Sequence, residues 1–336
     1  MSGRVVEPEP DGAASVAVTV VIPTFNGERY LAEVLDAIAD QAYPGTVETL
    51  VIDSGSTDAT LEIVRSRPGV RLHEIPNAEF GHGRTRNLGA RLARGRIVAF
   101  LTQDATPATS DWLARLTEPL DEPGVEAVFG RQLPRPHAFP LQKYDIADVF
   151  AAQGPADRPT IVAAADGRSG AELDAAAFYS DVNSAARRSF LVDVIPLRDL
   201  TYSEDLAFAR DVLEAGYRKA YAPGGAVWHS NDMGVREYAA RMFDETLGLR
   251  RVGHAPPRYS FAGAMLRAVK GALADSARIL RDPDFGVGER LRWLGVNPAY
   301  HVARWRGLFH GGRVDLDDET AIARRSWERR KQHAVR

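Results

Sequence analysis

The chain has 336 residues, a formal net charge of −3 and no cysteine. Disulfides and thiolate metal sites are therefore excluded, and there is room for a catalytic α/β domain of roughly 230 residues with an appendage. The small net charge hides an asymmetry, because residues 1–233 carry about eleven more acids than bases and residues 234–313 about seven more bases than acids; the front argues against nucleic acid as a partner, and the back suits an anionic lipid surface.

Residues 1–14, with Glu7, Pro8, Glu9, Pro10 and Asp11, read as a disordered leader without the apolar region of a secretory signal. No run approaches the roughly 18 apolar residues of a membrane span, so the expected place is the cytoplasm or the inner face of the cell membrane. Val16 to Ile22 is β-branched and apolar, which predicts a strand ending in Pro23-Thr24-Phe25-Asn26-Gly27, and Leu31, Val34, Leu35 and Ile38 then share one helix face. A dinucleotide-binding domain would put a Gly-rich turn there, so an NAD enzyme loses its main support. Thr49 to Ile52 repeats the unit and ends at Asp53, before Ser54-Gly55-Ser56-Thr57-Asp58 and a helix with Leu61, Ile63 and Val64. Asp58 reads as an N-cap. Asp53, at a strand end, can accept a hydrogen bond from the imide of a uracil or thymine ring. Val70 to Ile75 is a third strand, and Gly81, Gly83, Arg84 and Arg86 open a helix whose N-terminus favours anions.

Ile97-Val98-Ala99-Phe100-Leu101 is continuously apolar, as a strand buried on both faces is, and it stops at Thr102-Gln103-Asp104. In layered α/β sheets the ligand crevice lies beyond the carboxyl ends of the strands. Asp104 can then hold a hard divalent cation that draws its other ligands from water and phosphate, the alternative being a cap or turn residue before Pro107. Four strand–helix units in a row bring Pro23, Asp53, Arg86 and Asp104 to one sheet edge, which favours the ligand role.

Trp112, Leu113 and Leu116 predict a covering helix, and Val125 to Phe129 a further strand. Residues 131–175 show no sustained period, which suits a substrate loop or lid. Phe178 to Ala185, with Asp181, mixes polar and apolar groups near the expected site. Ser203 reads as the cap of a helix that opens Glu204-Asp205, buries Leu206, Ala209, Val212 and Leu213, and stops at Gly216. Acids in a first turn serve the helix dipole or catalysis, and spacing alone leaves both open. Lys219 to Val227 is a strand running into Trp228-His229-Ser230, where His229 is either a packed residue or an imidazole ligand for the same metal. From Val235, apolar residues such as Tyr238, Met242, Leu247, Phe261, Met265, Leu266, Val269, Leu273 and Leu280 alternate with Arg241, Arg250, Arg251, Arg267, Lys270, Arg278 and Arg281. These are basic amphipathic helices that either pack on the rest of the chain or lie on a membrane. The expected organisation is a catalytic domain over 15–233, a helical region over 234–313 and a charged tail over 314–336.

Six pieces occur in one order: Val-Ile-Pro-Thr-Phe-Asn at 21–26, Asp53 to Asp58, Arg86-Asn87-Leu-Gly89, Leu101 to Asp104, Glu204-Asp205 and Trp228-His229-Ser230. Over residues 16–232 this pattern resembles the inverting family 2 glycosyltransferases. The resemblance implies a GT-A fold: an α/β domain with a mixed, mainly parallel central sheet flanked by helices, here with a C-terminal helical extension. Phe80 to Asn87 and Thr102 to Ala105 further resemble bacterial rhamnosyltransferases that build surface polysaccharides from dTDP-L-rhamnose. By that resemblance Pro23, Thr24, Phe25 and Asp53 hold the nucleoside and Arg86 the diphosphate. Asn87, Gln103 and Asp181 join the nucleotide-sugar contacts. Asp104, with His229, would hold Mg²⁺ or Mn²⁺, and Asp205 beside Glu204 would be the catalytic base. One departure is visible, since the family's Asp-x-Asp is here Thr102-Gln103-Asp104 and lacks the first carboxylate. The implied acceptor is a glycan or lipid-linked saccharide. The alternatives are a family 2 transferase of another sugar, such as UDP-galactofuranose or a UDP-hexosamine, and a non-catalytic nucleotide-sugar-binding subunit.

Overall fold

The computed structural model describes residues 16–163, 170–200, 202–230, 233–253 and 256–327. The expected leader and residues 328–336 of the expected tail lie outside the described residues. The front of the chain alternates strand and helix: β1 (Val16–Thr24), α1 (Leu31–Ala39), β2 (Thr46–Asp53), α2 (Thr60–Arg65), β3 (Val70–Glu74), α3 (His82–Leu92) and β4 (Ile97–Leu101). Then follow β5 (Thr106–Pro107), α4 (Trp112–Thr117), β6 (Val125–Pro134), α5 (Pro140–Ala151), β7 (Thr160–Ala163), α6 (Gly170–Ala176), β8 (Asn183–Arg187), α7 (Glu204–Glu214) and β9 (Arg218–His229). The chain closes with α8 (Val235–Arg251), α9 (Phe261–Arg281), α10 (Val287–Gly311) and α11 (Glu319–Arg325).

Among the described residues all nine strands join one sheet in the order β3-β2-β1-β4-β8-β6-β9-β5, with β7 also on β9. The ladders β3–β2, β2–β1, β1–β4 and β6–β9 are parallel, while β8 runs antiparallel between β4 and β6. The sheet is therefore mixed, with its longest registers parallel. Because β1 is followed by β2 on one side and flanked by β4 on the other, the strand order reverses at β1/β4. Loops that leave two neighbouring strands in opposite directions open a crevice at that point.

Both faces of the sheet are covered, which is why β1 and β4 read as unbroken apolar runs. On one face Val18, Val20 and Ile22 pack with Leu31, Val34, Leu35 and Ile38 of α1 and with Trp112, Leu113 and Leu116 of α4. On the other, Val21, Val98 and Phe100 pack with Ala90 of α3 and Phe208, Ala209 and Val212 of α7. A third cluster joins Phe139, Leu141 and Tyr144 to Tyr238, Trp293, Tyr300 and Ala303 of α8 and α10. Within the expected tail, α11 seats Ile322 against Phe243 and Leu247 of α8.

Two expectations are corrected. Residues 131–175 are no open lid over most of their length, because they contain the end of β6, α5 and β7. The reason for the missing period is that α5 is buried on two sides. Leu141 and Tyr144 enter the helical cluster, Phe150 enters the sheet cluster, and Lys143 is held between Asp282 and Asp284 at 2.8 Å each. Ser203 does not cap α7 with its side chain; its backbone is left-handed at φ 66°, a conformation that surrounding structure must hold in place.

Candidate active site

At the β1/β4 reversal the chain ends of β1, β2, β4 and β9 meet the starts of α3 and α7 around a cleft of about 490 Å³. That volume is within the range of small-ligand sites. Pro23, Thr24 and Phe25 form one wall. Behind them Asp53 is fully buried, accepting hydrogen bonds from the Gly55 and Ser56 amides at 2.9 Å, from the Thr24 hydroxyl at 3.0 Å and from the Ser56 hydroxyl at 2.6 Å. The Asp53 oxygens are thus engaged in fixing the loop, and Asp53 itself does not line the cleft. Ser54 takes its place on the cleft wall. Gln103 ties the two strand ends together, its side-chain carbonyl accepting from the Phe25 amide at 2.8 Å and its NH₂ donating to the Phe25 carbonyl at 3.1 Å. Gly27 leaves room for it, since a Cβ there would come within 2.5 Å of the Gln103 side-chain oxygen and displace it.

Asp104 follows directly, and His229, at the end of β9, brings Nε2 to 3.6 Å from its Oδ2. The other imidazole nitrogen, Nδ1, lies 3.0 Å from Gln132 Oε1, and the Gln132 NH₂ donates to Ser180 Oγ at 2.9 Å. With the amide oriented by Ser180, Nδ1 donates to Gln132 and Nε2 is the nitrogen turned toward Asp104, where a bound metal would take the place of the Nε2 proton. Burial pushes the Asp104 carboxyl up, but the His229 ring and the Thr102 hydroxyl outweigh it and hold the group at about 2. An ionised carboxylate and an oriented imidazole fit a divalent cation whose remaining ligands are phosphate and water. No group of three or more His, Cys, Asp or Glu side chains able to hold a metal occurs among the described residues.

The third component is acidic. The α3 and α7 N-termini face each other, and Arg86 crosses between them, 2.9 Å from Glu204 Oε1 and 3.6 Å from Asp181 Oδ2, with its guanidinium also donating to the carbonyls of His82 and Asp181. Arg86, Asp181 and Glu204 are each at most 6% exposed. Arg86 Nε and Asp181 Oδ2 make no hydrogen bond and face each other across that 3.6 Å ion pair. Two buried carboxylates share one guanidinium here, with Asp205 beside them. Burial raises Glu204 to about 7, with Arg86 opposing and Asp181 assisting. Asp205, half-buried on the cleft wall, is pushed well above the aspartate range by burial and by the neighbouring Glu204 and Asp181 charges.

Of the residues singled out in the sequence, Pro23, Thr24, Phe25, Arg86, Gln103, Asp104, Asp181, Glu204, Asp205 and His229 line this one cleft. Asn87 does not. Its amide closes a two-way hydrogen bond with the Leu197 backbone, at 2.8 and 3.0 Å, and so anchors α3 to the segment before α7. Arg241, Glu245 and Leu249 of α8 complete the wall, with Tyr202 and His82, and none of these was singled out for the site. A signal existed in Gly248, where α8 runs so close to the start of α7 that a Cβ would stand 2.7 Å from Tyr202 Cβ and 2.8 Å from Ser203 Oγ.

Comparison with known proteins agrees with this architecture. The model of the family described as "Glycosyl transferase family 2" matches residues 19–158. The O-antigen chain rhamnosyltransferase RfbN of Salmonella typhimurium is 34% identical over 234 residues, covering 68% of this chain and 70% of its own length. The corresponding enzyme WbaN of Salmonella anatum is 30% identical over 229 residues, covering 67% and 70%. Among solved structures, the mannosyltransferase PcManGT of Pyrobaculum calidifontis, in complex with GDP-Man and Mn²⁺, superposes with a TM-score of 0.54 at 23% identity, over 88% of this chain and 89% of that one. Residues 1–349 of TarS from S. aureus, in complex with UDP-GlcNAc, give 0.52 at 18% identity over 92% and 79%. These two share the GT-A architecture of a mixed sheet flanked by helices. With one relative 34% identical over 70% of its length and the family model matched across the β1–β6 region, this chain belongs to glycosyl transferase family 2 and is a glycosyltransferase.

Proposed function

We propose that this enzyme transfers L-rhamnose from dTDP-L-rhamnose, with inversion, to a hydroxyl of a glycan or lipid-linked saccharide in the synthesis of a cell-surface polysaccharide. The observation that carries the chemistry is the shared cleft, which places the ionised Asp104 and oriented His229 in one pocket with the raised carboxyl of Asp205. The choice of rhamnose is supported by the two Salmonella relatives, both O-antigen chain rhamnosyltransferases.

In this reading the donor's nucleoside lies along Pro23–Phe25 and Ser54, with Gln103 holding that wall rigid. Asp104 and His229 would hold Mg²⁺ or Mn²⁺, which supplies Lewis-acid stabilisation of the departing diphosphate. The mannosyltransferase neighbour, crystallised with Mn²⁺, supports a divalent metal. As the bond from the anomeric carbon to the diphosphate oxygen breaks, the acceptor oxygen bonds to that carbon and its proton passes to Asp205. A base above the ordinary aspartate range takes that proton more readily than a free aspartate, provided it is ionised when the acceptor arrives. Arg86, already neutralised by Asp181 and Glu204, is better placed to fix Glu204 beside Asp205 than to serve as a free cation for the diphosphate.

The test is a transfer assay with a panel of dTDP- and UDP-sugars. Transfer from dTDP-L-rhamnose in preference to the UDP-sugars is expected. Asp205→Asn should retain nucleotide-dependent thermal stabilisation while transfer falls by about 10²–10⁴-fold. Near-wild-type transfer by that variant removes the base assignment, and preference for a UDP-sugar removes rhamnose.

A further inference from the structure

Helix α9 packs with its small residues inward and its large ones outward. Ala264, Ala268 and Ala272 are buried, whereas Leu266, Val269, Leu273 and Leu280 are 54–68% exposed. The positions 266, 269, 273 and 280 recur at helical spacing, so they form one continuous stripe. On α10, Leu291 is also 68% exposed. Single exposed aliphatics are ordinary on a protein surface, but a stripe of them marks a surface meant to be covered.

The bases beside this stripe say what covers it. Leu266, Val269, Leu280 and Leu291 are each followed directly by an exposed base: Arg267, Lys270, Arg281 and Arg292. None of these four bases has a carboxylate within ion-pair distance among the described residues. By contrast Arg278 and Arg304 of the same two helices pair with Asp148 and Asp145 of α5 at 2.7 Å. A second copy docked through the same face would bring unneutralised bases against each other, which disfavours self-association. An anionic lipid surface accepts both components, the aliphatic side chains entering the headgroup boundary and the bases meeting phosphate. No helix is long and apolar enough to cross a membrane among the described residues, so the geometry is that of helices lying along the surface.

We propose that the outer face of α9, continued on α10, docks this enzyme on an anionic phospholipid surface. Because α10 packs against α8, which lines the cleft, the docked face and that wall of the cleft belong to one packed unit.

The experiment is co-sedimentation of the full chain with vesicles of phosphatidylcholine alone or mixed with phosphatidylglycerol, in the absence of donor and acceptor. Binding to the mixed vesicles only, weakened by salt, is expected. Lys270→Gln and Arg281→Gln should each weaken it about fivefold. Leu273→Ser should weaken it roughly tenfold or more without a change of charge. These positions are exposed, so melting and donor hydrolysis should remain as in the wild type. Equal sedimentation with both vesicles, no sedimentation, or unchanged binding by Leu273→Ser overturns the proposal. So does a dimer in analytical ultracentrifugation that Leu273→Ser converts to monomer, which would give the face to a second copy. Since vesicle binding is read without sugar donor, its failure leaves the glycosyl-transfer assignment standing, and loss of transfer leaves the docking intact.

Discussion

Asp104 and Asp205 line the same cleft in opposite electrostatic surroundings. Burial raises both, but the imidazole of His229 brings Asp104 to about 2, whereas Glu204 and Asp181 drive Asp205 further up. Two carboxylates of one residue type are thereby drawn apart, Asp104 toward the ionised form and Asp205 toward the protonated one. Asp104→Ala should weaken nucleotide-sugar binding more in the presence of Mn²⁺ than in its absence; calorimetry with and without the ion checks this, and an equal loss in both rejects the ligand role. Glu204 makes a prediction about stability. Its carboxyl is raised to about 7 from an ordinary value of 4.5, so between these values the folded chain holds a proton that the unfolded chain has released. Its contribution is complete below about pH 4.5, declines through that window and is gone above about pH 7. The urea midpoint should therefore fall from pH 5 to pH 7.5. Glu204→Gln, which keeps an oxygen for Arg86, should flatten the fall; an unchanged slope would assign it to another group.

At the scale of elements, the contact that shapes the cleft is between α8 and the turn that opens α7. Ser203 is held left-handed there, and Gly248 allows the two segments to approach. Gly248→Ala would force Tyr202 and Ser203 aside, so we expect about 1–3 kcal/mol of lost stability in urea. Transfer should fall more than that loss explains, because Asp205 follows Ser203 by two residues; a normal rate in the folded variant would show that α8 does not position the base. Elements buried on one face were legible from period alone, as α1 was from Leu31, Val34, Leu35 and Ile38, all of which are buried. Helix α5 was not, because a helix that enters two cores carries no single apolar stripe. Asn87 shows the same limit for a polar residue. Its neighbourhood in the chain suggested ligand contact, but its partner is Leu197, 110 residues away.

Across the whole molecule, α5 joins the sheet to the C-terminal helices. Phe150 sits in the sheet core and Tyr144 in the helical core, while Lys143, Asp145 and Asp148 pair with Asp282, Arg304 and Arg278. A layer fastened this way should not unfold independently. We expect amide exchange in β1 and α10 to lose protection at the same urea concentration; earlier opening of α10 would make 234–313 a separate unit. The strand-end motifs, the order of the strand–helix units and the acidic–basic division of the chain were determined by the sequence itself, since local apolar period and turn chemistry act between near neighbours. Which polar residues face the cleft was decided only by the tertiary structure. Asp53 and Asn87 turn their hydrogen bonds inward, α8 supplies a wall from the basic region, and α9 turns its leucines to solvent. Each of these outcomes depends on which surface a distant segment covers, and a helix or strand carries no record of that in its own period.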